Sequence, residues 1–143
     1  MSRVHDSATG APDVHAAFGF DMFECDPDEI STALGLAPDA ILRKGSVRKP
    51  ARGGVAVVPF NNWSIKSASI AVDANVHIRQ LLERLGDRYR LYRSEWGNPW
   101  CEVRYRVAHM HSGGGPYYEP DVLEGLVRWR ATLWQDIYVE ESD

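Results

Sequence analysis

Between Trp100 and His109, apolar and charged side chains alternate almost residue by residue. Cys101, Val103, Tyr105 and Val107 fall on one side, and Glu102, Arg104 and Arg106 on the other. A side-chain period of two belongs to the extended strand, and this alternation marks a strand with one buried and one wet face. The pattern recurs near the start, where Val14, Ala16, Phe18, Phe20 and Met22 alternate with His15, Gly19 and Asp21. It recurs at the end, where Leu133, Ile137 and Val139 oppose Trp134, Asp136 and Tyr138. A parallel sheet buried on both faces would show continuous apolar runs instead. The expected fold is α+β: a mostly antiparallel sheet of about five strands with helices packed on one face.

The helices are marked by their ends. Asp26 can cap a helix, Pro27 fits its first turn and Glu29 takes the reciprocal capping position, with Gly35 as the stop. A second helix starts behind Asp73 and carries Ile78, Leu81, Leu82, Leu85, Tyr89, Tyr92 and Trp96 at three- and four-residue steps. Its stripe stays in phase past Gly86, so the segment reads as one long helix or as two meeting at Gly86-Asp87. A third helix is expected over about Asp121 to Ala131, and short strands over Val55 to Val58 and Trp63 to Ser67. Residues 1–13 read as a flexible N-terminal tail and 14–143 as a single α+β domain.

A chain of 143 residues, 44% hydrophobic and 25% charged, can build one core without a disulfide or a metal. Cys25 and Cys101 then read as free thiols in a reducing compartment, with the cytoplasm as default. A net charge of -4 argues against nonspecific nucleic-acid binding. No apolar run approaches the ~20 residues that span a bilayer, and the first residues lack the apolar segment of a secretory signal.

Asp26-Pro27-Asp28-Glu29-Ile30, Leu34-Gly35-Leu36, Arg43-Lys44-Gly45, Trp63-Ser64-Ile65 and Asp136-Ile137-Tyr138-Val139 occur in that order. As an ordered set they resemble the bacterial domain of unknown function 4279, over about Val14 to Val139. The resemblance implies a compact α+β domain and carries over no catalytic residue.

Chemistry is sparse. His109 and His111 would point to one face of a strand, with Glu119 as a third metal ligand; a strand end running into a solvated loop is the simpler reading. Arg43 to Arg52 holds five basic residues among glycines but no Walker A spacing, and reads first as an exposed hairpin, with Arg43 and Lys44 as candidates for an acidic partner. No cofactor motif and no catalytic residue is legible. The wet sheet face, with Arg104, Arg106, Trp134, Asp136 and Tyr138, mixes charge with large aromatics as a recognition surface does. Cross-strand pairs of Arg104 or Arg106 with Asp136 are the competing reading. Trp63 joins the candidates for partner contact. The expectation is a non-enzymatic module that binds another protein, an immunity-type protein included, with homodimerisation open. The alternative is a small-ligand or metal-dependent enzyme using the His109–Glu119 loop.

Overall fold

The computed structural model describes residues 12–108 and 115–140. Five strands form one sheet: β1 (Asp13–Phe23), β2 (Ala40–Leu42), β5 (Asn61–Lys66), β6 (Asn98–Val107) and β7 (Thr132–Val139). Their spatial order is β2-β5-β1-β6-β7. A separate two-stranded hairpin pairs β3 (Val47–Arg48) with β4 (Ala56–Val57). Three helices complete the fold: α1 (Pro27–Leu34), α2 (Ala74–Leu85) and α3 (Pro120–Arg128). All sheet pairings are antiparallel except β6 with β7, which is parallel and is bridged by α3. The α+β expectation therefore holds, with one parallel pair at the edge.

In β1 and β6 the alternation read from sequence becomes the division between the two faces; on the edge strand β7, Ile137 and Val139, expected to face in, are 37% and 40% exposed. Val14, Ala16, Phe18 and Phe20 of β1, Trp63 and Ile65 of β5, and Cys101, Val103, Tyr105 and Val107 of β6 lie buried beneath the helices. Ile30 and Leu34 of α1, Ile78, Leu81 and Leu85 of α2, and Val122, Leu126 and Trp129 of the α3 region close over them. Phe20 lies at the centre, with ring centroids 5.5 Å from Trp96, 5.7 Å from Trp63 and 6.1 Å from Trp129. Such tilted and edge-on contacts add to the area these rings bury.

Each helix begins as its sequence directs. Asp26 accepts a hydrogen bond from the Asp28 amide and Glu29 Oε2 accepts one from the Asp26 amide, the full capping box. Gly35 ends α1 in the left-handed conformation, φ 66°. Asp73 caps α2 through the Asn75 amide. The long-helix alternative is corrected: α2 stops at Gly86, and only two short 3-10 turns, Arg88–Leu91 and Ser94–Trp96, continue the apolar stripe. Gly86 leaves the helix at φ 60° and ψ −137°, a conformation that side chains resist.

Met22 is a second correction. The sequence places it on the buried face, yet it is 68% exposed. The β1–β5 register slips between Asp21 and Phe23, Met22 takes φ 60°, and Phe23 enters the core instead. A bulge adds one residue to the strand and reverses the facing of the residues after it. Gly97, at φ 77°, lies against this bulge so closely that a Cβ there would collide with the Asp21 carbonyl oxygen.

Candidate functional site

Four neighbouring rows of side chains lie on the face that is free of described helices. Asp13, Arg106 and Tyr138 form one row; His15, Arg104 and Asp136 the next. Lys66, Ala17, Glu102 and Trp134 form the third, and Ser64, Gly19, Trp100 and Thr132 the fourth. The five residues read from sequence as a surface (Arg104, Arg106, Trp134, Asp136 and Tyr138) thus come together. Trp134 is 52% and Tyr138 46% exposed.

Small residues in the middle of β1 make this face concave. Ala17 lies between Lys66 and Glu102, and above it opens a trough of about 280 Å³ lined by His15, Ala16, Ala17, Lys66, Ser67, Glu102 and Arg104. Along the same strand Gly19 is roofed by the Trp100 indole; a Cβ there would meet the Trp63 carbonyl oxygen and come within 2.6 Å of Trp100 Cζ2. Trp100 Nε1 is buried without a hydrogen-bond partner among the described residues. A second hollow of about 220 Å³, lined by Asp13, His15, Arg104, Arg106 and Tyr138, continues the trough towards the β7 edge.

Charges here are mixed and loosely paired. His15 Nε2 is 3.1 Å from Asp13 Oδ1, and Arg104 Nε is 3.6 Å from Glu102 Oε1. The Arg106 guanidinium lies 5.6 Å from the centroid of the Tyr138 ring, a cation–π distance. The ion pairs of Asp136 with Arg104 or Arg106, the competing reading of this face, do not occur among the described residues. Burial pushes the Glu102 carboxyl above its ordinary range. A hydrogen bond shared with Asp136 adds to this, while Arg104 opposes it.

One wall of the trough comes from a notch in the sheet. β5 ends at Lys66 while β1 runs on to Asp13, and Ser67 takes the vacated place. Its amide donates to the Ala16 carbonyl at 2.9 Å, and the Ala16 amide donates back to Ser67 Oγ at 3.0 Å. Ser67 Oγ is also 2.7 Å from His77 Nδ1, and His77 Nε2 is 2.7 Å from the Ala71 carbonyl oxygen. A carbonyl only accepts, so Nε2 carries the proton and Nδ1 accepts from the Ser67 hydroxyl. His77 is fully buried on α2, its ring centroid 6.4 Å from that of His15.

The remaining candidates lie elsewhere. Arg43 binds Asp26 at 2.8 Å and Asp28 at 3.1 Å, and Lys44 Nζ lies 3.3 Å from Glu24 Oε1, so both serve the acidic start of α1. Trp63 is not a surface residue: it is 0% exposed and donates from Nε1 to Ser31 Oγ at 2.9 Å. Its place on the inner face of β5 follows from its pairing with Phe20. Glu119 is held by Arg79 at 2.6 Å, and its amide donates to the buried Asn75 Oδ1. His109 and His111 lie outside the described residues. Among those described, no group of three or more His, Cys, Asp or Glu is placed to hold a metal ion, and no helix is long and apolar enough to cross a membrane. Both cysteines are free thiols; burial pushes the Cys101 thiol up to about 12, and burial with Glu29 and Glu95 raises that of Cys25.

Sequence reasoning passed over Lys66, Ser67 and His77. His77 carried a readable signal, since it shares the buried stripe of α2 with Ala74, Ile78 and Leu81. A histidine on an apolar face needs partners for both nitrogens. Ser67, ten residues earlier across a loop, offered no such signal.

The architecture is that of a small α+β domain with one face of its sheet free of described helices. The family model described as Domain of unknown function (DUF4279) matches residues 12–140, and the chain belongs to that family. No curated protein and no solved structure shows a significant match.

Proposed function

We propose that this domain is a binding module that docks a protein partner on the bare sheet face. The observation behind the reading is the grouping of exposed Trp134 and Tyr138 with Arg104 and Arg106 beside a trough, on a face free of described helices. Aromatic residues and arginine are the types that anchor protein interfaces, and a hollow beside them gives a partner side chain somewhere to enter. Lys66 and Arg106 make no ion pair among the described residues, which leaves two cations on this face for a partner. The fitting partner therefore presents acidic groups among apolar ones. An immunity-type role adds only the identity of that partner.

Affinity capture from cells, with the wild type beside an Arg106→Ala/Trp134→Ala double variant, tests the reading. A partner retained by the wild type and lost from the folded double variant supports it. Identical captured sets overturn it.

A further inference from the structure

We propose that Ser67 is a nucleophile activated by His77, and that the trough beside it accepts a carboxylic ester carrying an anionic group. The inference goes beyond docking and rests on Ser67 and His77, beside the same trough. Three observations converge on it. First, Ser67 Oγ and His77 Nδ1 are 2.7 Å apart, with the imidazole in the tautomer that leaves Nδ1 free to take a proton. Second, the imidazole is itself oriented by a third group, the Ala71 carbonyl at 2.7 Å; nucleophile, base and orienting group are the parts of an activated hydroxyl. Third, Ser67 lines the trough of about 280 Å³ together with Lys66, Glu102 and Arg104. Those cations suit both an anionic substrate group and the charge that develops on an attacked carbonyl.

The chemistry balances with water as the only co-reactant. Ser67 Oγ bonds to the acyl carbon as its proton passes to His77 Nδ1. The bond from that carbon to the leaving oxygen breaks, and the imidazolium returns the proton to the departing alcohol. Water then attacks the acyl group on Ser67, His77 takes and returns a proton again, and the free acid leaves. Throughout, the Ala71 carbonyl accepts from Nε2–H and keeps the ring oriented. The Ala16 amide holds Oγ at the mouth of the notch.

A purely structural Ser67–His77 link would pin the following loop just as well and leave Ser67 inert, so reactivity separates the two. The experiment incubates the intact protein with a fluorophosphonate probe and, separately, with neutral and anionic p-nitrophenyl esters. Fragmentation mass spectrometry then distinguishes Ser67 from Ser69. The expected result is an adduct on Ser67, absent from Ser67→Ala and formed at least ~100-fold more slowly in a folded His77→Gln variant, the scale of lost general-base assistance. Lys66→Ala, at an exposed position, is expected to slow the anionic ester about tenfold and to spare the neutral one; it keeps the proposal testable if His77→Gln does not fold. A wild-type protein unlabelled at Ser67 where a known serine hydrolase labels fully overturns the proposal, as does equal labelling of a folded His77→Gln. Equal loss with both esters in Lys66→Ala overturns the anionic class of substrate. Because Ser67→Ala keeps the bare face intact, failure here leaves the docking reading standing.

Discussion

The two faces of β1 share one backbone and obey opposite rules. Towards the helices the strand carries Phe18 and Phe20, both fully buried, and Phe20 meets the rings of Trp63, Tyr92, Trp96 and Trp129. Away from them it carries Ala17 and Gly19, the smallest side chains available. The inner face is specified by volume: each ring fills space that nothing else fills. The outer face is specified by the lack of volume, which lets Trp100 lie flat across Gly19 and leaves the trough open over Ala17. Stability is thus concentrated on one side of the strand, and concavity on the other.

The sharpest way to break this contrast is Phe20→Ala. Removing a fully buried ring from the aromatic centre is expected to cost about 3–5 kcal/mol, measured by chemical denaturation. A loss below ~1 kcal/mol would mean that the inner face is not governed by packing. Gly19→Ala tests the opposite rule. The added methyl meets the Trp63 backbone oxygen, which cannot swing away as a side chain could, so a loss of roughly 1–3 kcal/mol is expected although only one carbon is added. A neutral outcome would show that Trp100 and β5 yield easily.

Glu102→Gln sharpens the comparison through pH. Because the fold holds the Glu102 carboxyl above its ordinary range, folding prefers the protonated form. That preference is fully present below the unfolded carboxyl pKa and is lost as pH rises through the folded value. The glutamine variant is therefore expected to show a small rise in Tm at pH 7.5 that shrinks towards pH 4. A Tm that falls at pH 7.5 would show that the Arg104 contact outweighs burial. The smallest stability effect belongs to Trp134→Ala, expected within about 0.5 kcal/mol because the side chain is largely exposed. A larger loss would show that this indole is part of the fold rather than of a recognition surface.

Much of this contrast is legible in the sequence, because alternation reports burial in strands with neighbours on both sides, as in β1 and β6. On the edge strand β7 it does not, and Ile137 and Val139 stay exposed. Arg104, Arg106, Trp134, Asp136 and Tyr138 fall on one face by counting alone. Met22 escapes because a bulge changes the count without changing the composition. The parallel β6–β7 pair escapes for another reason: periodicity gives the facing of residues and not the direction of the neighbouring strand. The apolar stripe past Gly86 is real, with Trp96 buried, but 3-10 turns serve it as well as a helix does. Trp63 misleads as a surface candidate because its alternation with Ser64 leaves it on either face; only its pairing with Phe20 decides. Ser67 and His77 depend on where β5 stops relative to β1, and that is fixed by pairing between distant strands.

The position of β1 also shapes how the chain comes into being. It is the first of the described strands to be made and the middle strand of the finished sheet, and Phe18 is flanked there by Ile65 and Cys101. At roughly 5–20 residues per second, its second neighbour leaves the ribosome several seconds after it does. Until β5 follows, the strand has two unfilled edges; until β6 follows, one edge stays open, with α3 also still to come over its aromatic face. The nascent chain, more than the finished molecule, is where aggregation and chaperone dependence should concentrate. The small residues on the other face then have a second use, since they give the waiting strand only one sticky side.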